Sequence, residues 1–92
     1  MNFKIIYHPL VISSDIPKLS AEWRTKIQKA IEGRLVTYPE IYGKPLRRSL
    51  KGYRKLRVGD WRVIFLLEKN TVKILIIQHR SVIYDRINKR IQ

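Results

Sequence analysis

Hydrophobic positions recur along this chain with two different periods, and the change of period divides it in two. Asn2 to Tyr7 (NFKIIY) alternates weakly and is rich in β-forming residues, which predicts a short strand ending at His8-Pro9. Apolar residues at Leu10, Val11, Ile16 and Leu19 are compatible with a short helix that Pro17 either interrupts or restarts. Ser20 then offers an N-cap with Glu22 in the first turn, and Trp23, Ile27, Ala30, Ile31 and Leu35 recur at helical spacing. This predicts a helix from about Ala21 to Tyr38, stopped by Pro39. Pro39 to Ser49 (PEIYGKPLRRS) carries two prolines and a glycine and reads as a loop.

Beyond that loop the period falls from 3.6 to 2. Tyr53 to Val58 and Trp61 to Glu68 read as strands joined by a Gly59-Asp60 turn, and Lys69-Asn70 turns again into Thr71 to Gln78. The nearly unbroken runs WRVIFLL and VKILII suit buried central strands. In the tail, Ser81 to Ile91 spaces Ile83, Ile87 and Ile91 four apart, as a short C-terminal helix or a docked strand would. The order is that of a single α+β domain over residues 1–92: an N-terminal strand and two helices on one face of a mainly antiparallel four-stranded sheet, with a short C-terminal helix as an option.

A two-residue Gly59-Asp60 turn sets Val58 against Trp61, Arg57 against Arg62, Leu56 against Val63 and Lys55 against Ile64. Alternation then puts Leu56, Val58, Trp61, Val63 and Phe65 on one face, and Tyr53, Lys55, Arg57 and Arg62 on the other. The first face packs under the helices. The second is basic and edged by an aromatic residue.

Charge makes this second face the place to look for function. The chain has 20 Lys+Arg against 7 Asp+Glu, a net charge of +13, yet 45% of its residues are hydrophobic, so it is a folded basic domain rather than a disordered tail. Such a field favours polyanions: nucleic acid first, then an acidic protein, then an anionic membrane. Lys44, Arg47, Arg48, Lys51, Arg54, Lys55, Arg57 and Arg62 crowd between positions 44 and 62 beside one acid, Asp60. With no cysteine, and with His8 and His79 far apart, neither a disulfide nor a metal site is expected. Nothing resembles a leader or a membrane span, so a cytoplasmic protein that does not engage the membrane is expected.

Like charges directly opposite on a sheet cost about 0.2–1 kcal/mol, so folding alone does not select an Arg57–Arg62 pair. Two readings account for it. The arginine stems cover sheet surface while their heads diverge into water, or two guanidinium forks aimed at one place make a phosphate site.

The segment YRKLRVGDWRVIFLLEKNTVKILIIQHRSVIY, with GKPLRRSLKG before it, resembles the RelE/ParE superfamily of toxins from toxin–antitoxin operons. The resemblance runs from about Gly43 to Tyr84, and the upstream elements agree in order. In its RelE branch it implies an endoribonuclease, needing no cofactor, that enters the ribosomal A site and cuts mRNA by attack of a 2′-hydroxyl on the adjacent phosphate. An acidic antitoxin encoded nearby would hold it in check, folding onto it as an amphipathic segment, and the free toxin would be a monomer. By position, Arg62 matches the arginine that stabilises the phosphorane, Arg80 the second arginine, Tyr84 the tyrosine that stacks on a base, and Lys55 one of two strand lysines. The other lysine position holds Tyr53 here, which leaves Lys51 or His79 as alternatives for its share of general-base work. Lys44, Arg47, Arg48, Lys51, Tyr53, Arg54 and Arg57 would hold RNA.

Two points stay open on sequence alone. Tyr84 suits a core aromatic as well as a stacking platform. Strict alternation from the Lys69-Asn70 turn puts His79 on the basic face and Arg80 on the other, unless a bulge exchanges them. The ParE branch implies a different function, non-catalytic inhibition of DNA gyrase. The set Lys55, Arg62, Arg80 and Tyr84 favours the endoribonuclease.

Overall fold

The structure is a computed structural model that describes residues 2–46 and 52–91. Five strands form one sheet in the order β1-β5-β4-β3-β2: β1 (Lys4–Tyr7), β2 (Lys44–Pro45), β3 (Tyr53–Val58), β4 (Trp61–Glu68) and β5 (Thr71–His79). β1 runs parallel to β5, and every other pairing is antiparallel. The runs read as central strands, β4 and β5, do lie inside the sheet.

The helical path on one side begins with Ser20, whose Oγ accepts from the Trp23 N–H at 3.3 Å and caps α1 (Ala21–Ala30). The path continues as a single widened π turn, Ile31–Leu35, instead of regular helix to Tyr38. Pro39 starts a structure rather than ending one: it occupies the first turn of α2 (Pro39–Tyr42), where its missing N–H has no helical partner to lose. The segment expected as a loop therefore holds both α2 and β2, and β2 supplies the fifth strand. Two residues are too few to show an alternation, and Pro45 is tolerated because β2 is an edge. The expected helix between Leu10 and Leu19 is a π turn, Val11–Asp15, followed by a 3₁₀ turn, Ile16–Lys18.

The α+β class holds, with one addition to the layering. Val11, Leu19, Ile27, Ile31 and Leu35 pack against Leu56, Val63, Phe65, Val72, Ile74 and Ile77 on one face of the sheet. The tail forms α3 (Ile83–Arg90), which buries Ile83 and Ile87 against Ile64 and Ile76 on the opposite face. Helices thus cover both faces.

The β3–β4 hairpin has the expected register: Val58 faces Trp61, Arg57 faces Arg62, Leu56 faces Val63 and Lys55 faces Ile64. Gly59 takes the turn at φ +61°, and a Cβ there would stand 2.5 Å from Trp23 Cη2, so both backbone and packing select glycine.

The β4–β5 ladder is not regular. Phe65 faces Ile74 but Ile64 faces Ile76, so Leu75 is an extra residue that bulges out of register. Every β5 position after Leu75 is shifted to the other face relative to strict alternation. Ile77 therefore joins the α1-side core, while Ile76 joins the α3 side.

Candidate active site

The basic face is assembled from three strands and α3. Tyr53, Lys55 and Arg57 alternate along β3, and Arg62 stands opposite Arg57 on β4. β2 adds Lys44, which is exposed and opposite Lys55 in the ladder, a second pair of like charges facing each other. The isoleucines at 83 and 87 seat α3 on this face, and the next residue in the helix, Tyr84, stands at its β3 side. Lys55 Nζ donates to Tyr84 Oη at 2.8 Å and lies 5.5 Å from the ring centroid. Tyr84 is 49% exposed, so it is a surface aromatic fixed at one point and not a member of the core.

The two facing arginines have different environments. Arg62 is 7% exposed, and its Nη1 donates to the carbonyls of Gly59 at 2.8 Å and Trp61 at 2.9 Å. The hairpin turn thus supplies acceptors that neutralise the burial of the charge and hold the guanidinium in one orientation. Arg57 is exposed. Both cations stand on one face, one held by the turn carbonyls and the other open to solvent.

The bulge at Leu75 sets which way His79 faces. Shifted by one residue, His79 faces Trp61 on the α1 side, where the two rings meet edge to face at 5.6 Å. Its Nδ1 lies 2.9 Å from Ser81 Oγ and 3.2 Å from the Ser81 N–H. His79 is therefore separated from Lys55 and Tyr84 by the sheet. Arg80 follows the strand end beside the hairpin turn: its N–H donates to the Asp60 carbonyl at 2.8 Å, and Nε lies 3.6 Å from Asp60 Oδ1. Both groups of that ion pair are well exposed.

Arg54 alternates to the α1 side, where Nη1 donates to the carbonyls of Glu40 at 3.3 Å and Gly43 at 2.9 Å. Its geometry is that of a tie between β3 and α2, away from the cluster. Arg47, Arg48 and Lys51 lie outside the described residues. Two residues that sequence reasoning passed over border the face. Gln78, opposite Arg62 and 8% exposed, accepts from Arg86 Nη1 through its Oε1 at 3.1 Å. The one available signal was a polar residue at the end of the apolar run VKILIIQ. Among the described residues, no group of three or more His, Cys, Asp or Glu is placed to hold a metal ion.

With Lys55, Arg57, Arg62 and Tyr84 on one face of the sheet and α1 on the other, the chain is a small basic α+β domain with a cationic face. In the RelB–RelE antitoxin–toxin complex from Methanococcus jannaschii, the matched chain shares the fold with a TM-score of 0.69 at 18% identity, over 87% of this chain and 95% of that one. A closer likeness is to the RelBE2 toxin–antitoxin complex from Mycobacterium tuberculosis, with a TM-score of 0.80 at 28% identity, over 87% of this chain and 100% of that one. Residues 2–84 match the family described as the ParE toxin of type II toxin–antitoxin systems, parDE, and the chain belongs to that RelE/ParE toxin family. Among curated relatives, Toxin RelE of Mycobacterium tuberculosis is 30% identical over 83 residues, 85% of this chain and 86% of the relative. Toxin RelG of the same organism is 36% identical over 74 residues, 78% of this chain and 85% of the relative. The chain is accordingly a toxin of a toxin–antitoxin system, of RelE type.

Proposed function

We propose that this toxin is a metal-independent endoribonuclease that cuts mRNA on the ribosome and so stops translation. The observation that carries the reading is the contact between Lys55 and Tyr84, 2.8 Å apart, on the same sheet face as Arg57 and Arg62. In this reading Lys55 is the candidate general base for the 2′-hydroxyl, which attacks the adjacent phosphorus. The P–O5′ bond breaks and the leaving oxygen takes a proton from water, giving a 2′,3′-cyclic phosphate and a 5′-hydroxyl. Arg62, with Arg80 near the end of the hairpin, offsets the charge that builds on the phosphoryl oxygens. Tyr84 stacks on a neighbouring base, and Lys44, Tyr53 and Arg57 follow the strand backbone.

The family and its solved toxin–antitoxin complexes support a cognate antitoxin as partner. An acidic segment of such a partner would meet the same cations as RNA, so antitoxin and substrate would compete. No helix among the described residues is long and apolar enough to cross a membrane.

Primer extension on transcripts incubated with the toxin, with and without ribosomes, tests the reading. Cuts within codons are expected only when ribosomes are present, and Arg62→Ala should abolish them in a protein whose circular dichroism is unchanged. Intact transcripts and continued protein synthesis, with accumulating DNA breaks, would instead establish the gyrase inhibitor of the ParE branch.

A further inference from the structure

Asp15 ends the N-terminal π turn, forty residues before Lys55, and is among the most completely engaged side chains of the described residues. It is 2% exposed, and its carboxylate accepts four hydrogen bonds. Oδ2 takes the Ile77 N–H at 2.9 Å and Arg90 Nη1 at 2.9 Å; Oδ1 takes Gln78 Nε2 at 2.9 Å and Arg90 Nη2 at 3.0 Å. Each donor has a structural origin. β1 pairs β5 only as far as Ile74, so the Ile77 N–H lies beyond the end of that ladder, and Asp15 replaces the missing strand. The Leu75 bulge turns Gln78 toward the α3 side, where its amide bridges Asp15 and Arg86. Arg90 Nη1 also donates to the carbonyl of Leu75 itself, at 3.0 Å.

Arg86 and Arg90 are one helical turn apart on α3, on the side away from Tyr84. The helix is thus fixed along three lines: Ile83 and Ile87 below, Lys55 on Tyr84 at one flank, and the Asp15–Gln78 network at the other. Ile83 and Ile87 choose which side of α3 turns to the sheet but hold its rotation only loosely, because apolar contact is non-directional. The bidentate pair does set it, since a guanidinium fork meets a carboxylate in one plane.

The geometry points to Asp15 as a positioning residue for the active site: through Arg90 and Gln78 it fixes the rotation of α3 and so holds Tyr84 at Lys55. Its catalytic consequence rests on the endoribonuclease reading above. Asp15 is buried and does not itself touch substrate.

The full-length toxin carrying Asp15→Asn, and separately Arg90→Met, provides the test, with amide exchange and steady-state cleavage of ribosome-bound mRNA as paired readouts. Arg90→Met leaves Asp15 its Ile77 and Gln78 donors, so it reports on α3 even where Asp15→Asn weakens the whole fold. In support, the α3 amides of Arg86 and Ile91 should exchange at least about tenfold faster while β4 and β5 keep their protection. kcat should fall by about a hundredfold, and by more than KM rises, as displacement of a site group from its reacting geometry requires. Wild-type cleavage in variants with a loosened α3 would overturn the proposal, as would unchanged exchange. Equal acceleration in α3 and the sheet in both variants would overturn it too, making Asp15 a general core group. A wild-type toxin that never cleaves RNA would sink the endoribonuclease reading instead, and exchange alone would then judge whether Asp15 anchors α3.

Discussion

Arg57 and Arg62 begin as equivalent members of a like-charged pair and end in different environments. The carbonyls of Gly59 and Trp61 hold Arg62 in a nearly buried position, so its charge is oriented before any ligand arrives. Arg57 is exposed and suited to following a flexible backbone. Tyr84 divides in the same manner into a ring and a hydroxyl. Tyr84→Phe keeps the ring and removes the acceptor for Lys55, so urea unfolding should shift by no more than about 0.5 kcal/mol while cleavage slows. Tyr84→Ala should cost a further 1–3 kcal/mol, roughly one base stack, measured as the additional loss in kcat/KM. Equal activity of the Phe and wild-type proteins would remove the hydroxyl from the mechanism.

Strand and helix endings decide which of these residues meet. One inserted residue, Leu75, moves His79 under Trp61 and turns Gln78 to the α3 side. One short pairing, Lys44–Pro45 with Lys55 and Arg54, adds an edge strand that brings Lys44 to the site. Arg54 supports that edge through the carbonyls of Glu40 and Gly43. Arg54→Ala is therefore expected to lower stability by about 1 kcal/mol in denaturant unfolding, chiefly from unpairing the partly buried Gly43 carbonyl. Its effect on RNA affinity should be smaller than that of Arg57→Ala, and the reverse order would return Arg54 to the RNA-binding set.

For the molecule as a whole, a net charge of +13 on 92 residues sets the long-range behaviour. Self-repulsion on this scale is tolerated because the apolar residues form two clusters, one on each side of the sheet, and the cations lie over or around them. Binding to single-stranded RNA should weaken linearly with the logarithm of salt concentration, with a slope of about 0.7 for each phosphate contacted. Arg57→Ala should reduce the slope by about that amount with little change in sequence preference. A titration by fluorescence anisotropy over a range of salt concentrations measures it, and a slope unaltered by the substitution would place Arg57 outside the contact set.

Local rules were enough to read the hairpin register, the basic face of β3 and β4, and the cap of α1, because turn type and alternation act within a few residues. The resemblance from Gly43 to Tyr84 pointed to the family by the same short-range pattern. Sequence offered a bulge near the end of β5 only as one option and did not place it at Leu75, since an extra residue in an unbroken apolar run leaves the run looking the same. Nor could it bring Asp15 to Arg90, which are joined only when the N-terminal turn, β5 and α3 meet in space. The long-range contacts that orient Tyr84 have no period along the chain. Their positions follow from how the two faces of the sheet are covered.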